Sequence, residues 1–352
     1  MALVPTLVAN VAPPINFVLM RGLLTQTRKK CPFHNGTVAG ELQKHGGSMS
    51  VKWRRWDDLA VSVTPLGEAP NPIVYGMGRD SAAATVTDIT VATAKYGKLI
   101  TYSEEVDLFN VNTRAAEMLT PIGRNAGVTL DKLMANVFDA ETTAIFSNGS
   151  ATAAVNTAIA AADVNSAYVA LDSADGIPFD PMSTGSTLVG SSPIRESYLG
   201  ICHPHVAFDI RAITGFLGVE QYASGTSTYI GEFGTVGGVR WVSSTNSPIE
   251  INAGGTPGTM RSTGGSSADV YSSFVYAMNA MGSVGLGEKQ TVEIYKEGTI
   301  PATIEIIRHG VDDGGLSNPF NEVGGIAWKC WWAGKTLDST LIKKIESAAT
   351  DV

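Results

Sequence analysis

Apolar and polar side chains alternate over residues 48–56 and again over 83–96. Both stretches are rich in β-branched and aromatic residues, so each predicts a strand. Between them, residues 64–73 carry Pro65, Pro70 and Pro72, which lack the donors a central strand needs. The two strands therefore predict a long hairpin with a stiff, irregular tip, which buries little by itself and requires a partner surface. A different period follows. Over residues 113–147 apolar side chains recur at Ala115, Leu119, Ile122, Ala126, Leu130, Leu133, Val137 and Ile145, steps that mostly suit one face of a helix. Pro121 predicts a kink or restart, leaving ~26 residues of helix that span roughly 39 Å.

Farther on, residues 163–173 predict a second helix and 197–202 a buried strand. That strand runs into a helix over 203–211, with Pro204 in the first turn, where its missing donor costs nothing. Strands are predicted at 238–242, 270–278, 291–295, 303–308 and 325–333, and residues 252–267, with six Gly or Pro, predict a surface loop. No internal repeat is present. A long helix, mixed strands and an extended hairpin make an α+β chain.

At 352 residues the chain is long enough to build a sizeable core without disulfide or metal staples. Its hydrophobic fraction is an ordinary 44%, but only 16% of residues are charged, against ~25% in typical soluble domains. A charge-poor surface of this kind predicts coverage by neighbouring subunits. Two long uncharged runs, 1–20 and 142–162, sharpen the point. The charge present is also polarised. Residues 1–56 hold eight basic side chains against the single acid Glu41, a balance of +7, so a chain of total −8 leaves −15 on the rest. A basic arm on an acidic body suits docking onto an acidic neighbour first, and contact with nucleic acid second. Pro5, Pro13 and Pro14 interrupt the apolar first twenty residues, so these read as an extended arm rather than a leader or a membrane span. Three unclustered cysteines, Cys31, Cys202 and Cys330, give no disulfide framework and predict synthesis in a reducing cytoplasm.

Candidate chemistry is sparse. Cys202, His203 and His205 form the most metal-like cluster, yet no second ligand pair completes a zinc site, and Cys31 and His34, though spaced like ligands, belong to the arm. Structural packing is the reading adopted for the two histidines of that cluster. The glycines of residues 231–238 precede a strand instead of opening a helix, which makes them turn residues and not a phosphate cradle. Glu104, Glu105 and Asp107 follow Ser103 as the first turn of a capped helix would, a better account than an acid–base pair. No catalytic, cofactor or metal residue is assigned.

Residues 52–56 (KWRRW) interleave bases and aromatics, as single-strand nucleic-acid platforms do. On a strand, however, Trp53 and Arg55 point one way and Arg54 and Trp56 the other. An intersubunit contact explains the pattern better: Arg54 and Arg55 reaching acids of an adjacent subunit, flanked by Trp53 and Trp56, with Arg28, Lys29 and Lys30 of the arm adding basic charge.

The chain resembles the major capsid proteins of tailed bacteriophages, in the N4-type branch. The resemblance is carried, in order, by residues 51–59 (VKWRRWDDL), 64–68 (TPLGE), 87–101 (TDITVATAKYGKLIT), 129–131 (TLD), 202–211 (CHPHVAFDIR), 231–234 (GEFG), 238–242 (GVRWV) and 327–332 (AWKCWW). It implies the HK97-like fold, with an N-terminal arm at 1–47, an extended hairpin or E loop at 48–97, and a peripheral domain at 98–189 containing a spine helix at 113–147. An axial domain at 190–287 and return strands of the peripheral domain with the C-terminus at 288–352 complete it. It further implies a subunit of hexamers and pentamers in an icosahedral head, made in the host cytoplasm. Packaged double-stranded DNA, a portal protein, and scaffolding or decoration proteins are the implied partners, and a membrane is not. Two other classes compete: the shell of an encapsulin-like cellular nanocompartment, and more distantly a hydrolase using Glu104 or Glu105.

Overall fold

The computed structural model describes residues 32–42, 48–61, 63, 83–105, 114–141, 143–179, 196–222, 229, 231–286, 304–311 and 320–352. In chain order the strands and helices are β1 (Val38–Leu42), β2 (Ser50–Trp56), β3 (Val86–Ala92), β4 (Ala94–Ser103), α1 (Arg114–Asp139), β5 (Ala144–Phe146), α2 (Ala161–Asp172), β6 (Tyr198–Cys202) and α3 (Pro204–Ala212). Then come β7 (Leu217–Gly218), β8 (Glu232–Val236), β9 (Val239–Ser243), β10 (Ile249–Glu250), β11 (Val270–Tyr276), β12 (Met281–Leu286), β13 (Glu305–His309), β14 (Val323–Thr336) and β15 (Ile342–Ser347). This is the α+β class that the two hydrophobic periods predict.

The described strands form three sheets. In the first, β14 is paired along one side by β4 and along the other by β13 and β12, and β1 runs parallel to β12. Helix α1 covers one face of this sheet. Its buried stripe is Ile122, Ala126, Leu130, Met134 and Phe138, a strict step of four, packed on Ile326, Trp328, Cys330 and Trp332 of β14. The Trp328 indole donates to Asn125 Oδ1 at 3.0 Å, so the tryptophan is buried with its polar edge satisfied. Leu133 and Val137, predicted on the core face, flank that stripe and are only half-buried.

The second sheet has the order β5–β15–β11–β6–β9–β8–β7, with β10 on β11. Every residue of β6 and β11 is buried, as expected of central strands covered on both faces. Helices α2 and α3 pack on it through Val164, Ala167, Leu171, Val206, Ala207 and Ile210. An aromatic cluster of Phe33, Phe138, Phe274 and Tyr276 joins α1 to β11.

Several expectations are corrected. The long helix ends at Asp139 and not at 147; Ile145 instead lies on β5, paired parallel to β15. Pro121 lies within α1 and does not start it. The expected strand over 83–96 breaks at Thr93, leaving the hairpin at Ala92 and joining the first sheet at Ala94. Part of the expected arm, Val38–Leu42, is a strand of the body. Across the expected boundary at 287, β12 belongs to the first sheet, whereas β15 near the C-terminus is paired inside the second. The predicted strand at 291–295 and the proline-rich tip at 64–73 lie outside the described residues.

Candidate assembly surface

Among the described residues, strands β2 and β3 pair only with each other, in the register Arg54 opposite Asp88 and Trp53 opposite Ile89. Alternation then gives this two-stranded ribbon two unlike faces. Val51, Trp53, Thr87, Ile89 and Val91 are half-buried, while Lys52, Arg54, Trp56, Val86, Asp88 and Thr90 are exposed.

The inner face rests on the body. Trp53 lies over two glycines of neighbouring strands: a Cβ at Gly40 would sit 2.8 Å from its ring, and one at Gly282 3.0 Å. Glycine at these positions therefore makes room for the indole. Arg55 points the same way and pairs with Asp338, which also accepts from the Thr340 amide and hydroxyl at 3.0 and 2.7 Å. Tryptophan and arginine together fix the angle at which the hairpin leaves the body.

The outer face is an ion cluster with an apolar end. Asp88 accepts from Arg54 Nε at 2.9 Å and from Lys52 Nζ at 3.1 Å. Hydrogen bonds from Arg54 and then Lys52 hold its carboxyl down at about 2. Beyond it Trp56 is 65% exposed, and Leu59, Val61 and Val63 continue the run at 60%, 85% and 84%. Scattered exposed apolar residues are ordinary, but four large ones within residues 56–63 suit a contact surface. At the root of the hairpin an open groove of about 510 Å³ lies between Tyr96, Leu133, Val137, Ala140 and Trp332.

The structure thus brings Trp53, Arg54, Arg55 and Trp56 onto one ribbon but divides their roles. The acids that Arg54 and Arg55 were expected to meet on an adjacent subunit are matched within the chain by Asp88 and Asp338. Arg28, Lys29 and Lys30 lie outside the described residues. Sequence reasoning missed Asp88, Asp338 and the run of Leu59, Val61 and Val63. Of these, Asp88 was within reach, because pairing the two predicted strands in register sets it opposite Arg54.

The chemical candidates resolve into packing. Cys202 is fully buried and its thiol is pushed up by burial. His203 and His205 stack edge-to-face at 4.5 Å, and His205 Nδ1 lies 2.9 Å from the Tyr271 hydroxyl. Burial, with repulsion from His205 and Arg261, pulls His203 down to about 4. Among the described residues no group of three or more His, Cys, Asp or Glu is arranged to hold a metal ion. Gly231 lies at the turn into β8, and Gly237–Gly238 form the tight turn between β8 and β9. The carboxylate of Glu105 is held below its ordinary value chiefly by its own backbone amide, and the Ser103 hydroxyl expected to cap this turn makes no hydrogen bond among the described residues.

Residues 86–344, from the returning strand of the hairpin to the middle of β15, match a protein family described as phage capsid protein. The chain belongs to the phage capsid protein family. No curated protein matches it in sequence. Solved phage capsids share the fold of this capsid protein at low identity. The capsid of Ralstonia phage GP4 has a TM-score of 0.58 at 12% identity over 92% of both chains. The capsid of cyanophage P-SCSP1u has 0.55 at 14%, over 92% of this chain and 90% of that one. The head of Helicobacter pylori bacteriophage KHP40 has 0.56 at 9%, over 91% of both. The HK97-like fold expected from the sequence motifs is therefore the fold of this capsid protein.

Proposed function

We propose that this major capsid shell protein laces its shell together through the β2–β3 hairpin, whose outer face rests on the adjacent subunit. The observation that carries this reading is the exposed Trp56 at the end of a ribbon whose other face is fixed to its own body, with exposed Leu59, Val61 and Val63 in the segment that follows it. Trp53 and Arg55 set the direction of the hairpin. Trp56, with the outward sides of Arg54 and Lys52, meets the neighbour. Arg28, Lys29 and Lys30 add a second, salt-sensitive contact from the arm. Apolar burial at about 25 cal/mol per Å² supplies the attraction, charge sets the register, and many weak contacts act together.

In this reading the subunits form hexamers and pentamers of an N4-type tailed-phage head around double-stranded DNA, joined to a portal and assembled in the host cytoplasm. The first sheet with α1 corresponds to the peripheral domain, α1 to its spine helix, and the second sheet to the axial domain. The subunit is a structural protein, with no catalytic role for Glu104 or Glu105. The family match favours a virion over a cellular nanocompartment. Sedimentation of the purified full chain tests the reading: a fast shell species supports it, and persistence of monomers at assembly concentrations counts against it.

A further inference from the structure

The sequence holds two Asn–Gly pairs, Asn35–Gly36 and Asn148–Gly149. At such a pair the glycine amide nitrogen can attack the asparagine side-chain carbonyl carbon, because no Cβ on the glycine screens it. The attack needs rotation about the Cα–C bond of the asparagine, which swings its carbonyl and the following amide together. Hydrogen bonds on that carbonyl therefore decide whether a pair reacts, and they differ between the two.

Asn35 is locked. Its amide donates to the Pro32 carbonyl at 3.1 Å, and its carbonyl accepts from the Tyr276 hydroxyl at 2.8 Å. Tyr276 is fully buried in the aromatic cluster, so swinging the Asn35 carbonyl away strands a buried hydroxyl. Gly36 is confined as well, since a Cβ there would collide with the Phe179 ring. Asn148 is open. It and Gly149 are exposed in the bend after β5. Among the described residues, neither the amide nor the carbonyl of Asn148, nor the amide of Gly149, makes a hydrogen bond. The Asn148 side chain makes one, from Nδ2 to Asn156 Oδ1 at 2.8 Å, and this leaves the backbone free to turn.

We propose that Asn148 is a self-modification site, at which the subunit exchanges an amide for a carboxylate with water as the only co-reactant. The Gly149 nitrogen gives its proton to solvent and bonds to Asn148 Cγ. The Cγ–Nδ2 bond then breaks, the departing nitrogen takes up a proton and leaves as ammonia, and a cyclic imide remains. Water opens the imide at either carbonyl, which gives aspartate or isoaspartate, the latter with its backbone routed through Cβ. No group is oxidised or reduced. The product sets a negative charge within residues 142–162, where the sequence carries none. It also puts an acceptor where the amide donated to Asn156, which loosens the 148–156 loop. This is a property of the single subunit and is independent of how shells are laced.

Peptide mass spectrometry of the full-length protein, incubated at mildly alkaline pH, reads the reaction as the mass gain of an amide-to-acid exchange, with chromatography separating aspartate from isoaspartate. In the native protein the Asn148 peptide is expected to convert at least about tenfold faster than the Asn35 peptide, the ratio set by stranding one buried hydroxyl. In denaturant, where only the shared dipeptide remains, the two are expected to convert at similar rates. Isoaspartate is expected among the products at Asn148, and aspartate alone would contradict the imide route. Equal rates at the two pairs in the native protein overturn the proposal, as does a native Asn148 that stays intact while the denatured chain converts.

Discussion

Arg54 and Asp88 face each other across the hairpin, with Nε 2.9 Å from Oδ1 and Nη2 3.3 Å from Oδ2, a two-pronged pair between adjacent strands. Exposed pairs contribute little to global stability, so the value of this one lies in holding the two strands in register on the ribbon's exposed face. Reversing Arg54 to Asp is expected to leave the thermal midpoint of the monomer unchanged and to abolish shells. The swap Arg54→Asp with Asp88→Arg restores the cross-strand pair and is expected to recover shells in sedimentation. Failure of the swap would assign Arg54 to a neighbour's acid instead.

Asp88 carries a pH consequence. Its carboxyl is held below its unfolded value, so the pairing is fully present above about pH 4 and is lost as pH falls toward 2. Chemical shifts of the hairpin amides in the monomer should follow that window in the wild type and not in Asp88→Asn.

Trp56 and Trp53 should separate assembly from folding. Trp56 is 65% exposed, so Trp56→Ser is expected to preserve the unfolding midpoint and to remove shells. Trp53 lies half-buried over Gly40 and Gly282, so Trp53→Ala is expected to cost about 1–2 kcal/mol in denaturant unfolding and to free the hairpin from the body.

Lys344 is the interior counterpart. Its Nζ lies 3.0 Å from both Asp139, the last residue of α1, and Glu346 on the same strand. Burial pulls this lysine down, but hydrogen bonds and charge from Asp139 and Glu346 outweigh it and raise it overall. Its stabilising contribution is therefore complete below about pH 10.5 and is lost only as pH rises further. Lys344→Met leaves two carboxylates without their cation and is expected to cost about 3–5 kcal/mol, measured by urea unfolding at neutral pH.

The same lysine explains why β15 was illegible. Residues 342–347 read IKKIES, a sequence that looks solvated until Asp139, distant in the chain, completes the ion cluster. Local period exposed what depends on local geometry: the hairpin strands, most of α1, and the junction of β6 with α3. It did not locate the end of α1, because residue 144 onward leaves the helix to pair with β15, some 200 residues later in the chain. At the candidate surface, alternation correctly assigned Trp53 and Arg55 to one face and Arg54 and Trp56 to the other. Their intrachain acids required the strand register for Asp88 and the tertiary fold for Asp338. The two Asn–Gly pairs look alike in the sequence, because the Tyr276 hydroxyl that holds Asn35 lies 241 residues away.

A density map of particles assembled from the full chain tests the central claim most directly, since it traces each hairpin to the surface it touches. The account predicts closed shells in which the outer face of every β2–β3 ribbon, with Trp56 at the contact, lies on the adjacent subunit. Shells in which the ribbon touches only its own subunit, or an absence of shells, would contradict it.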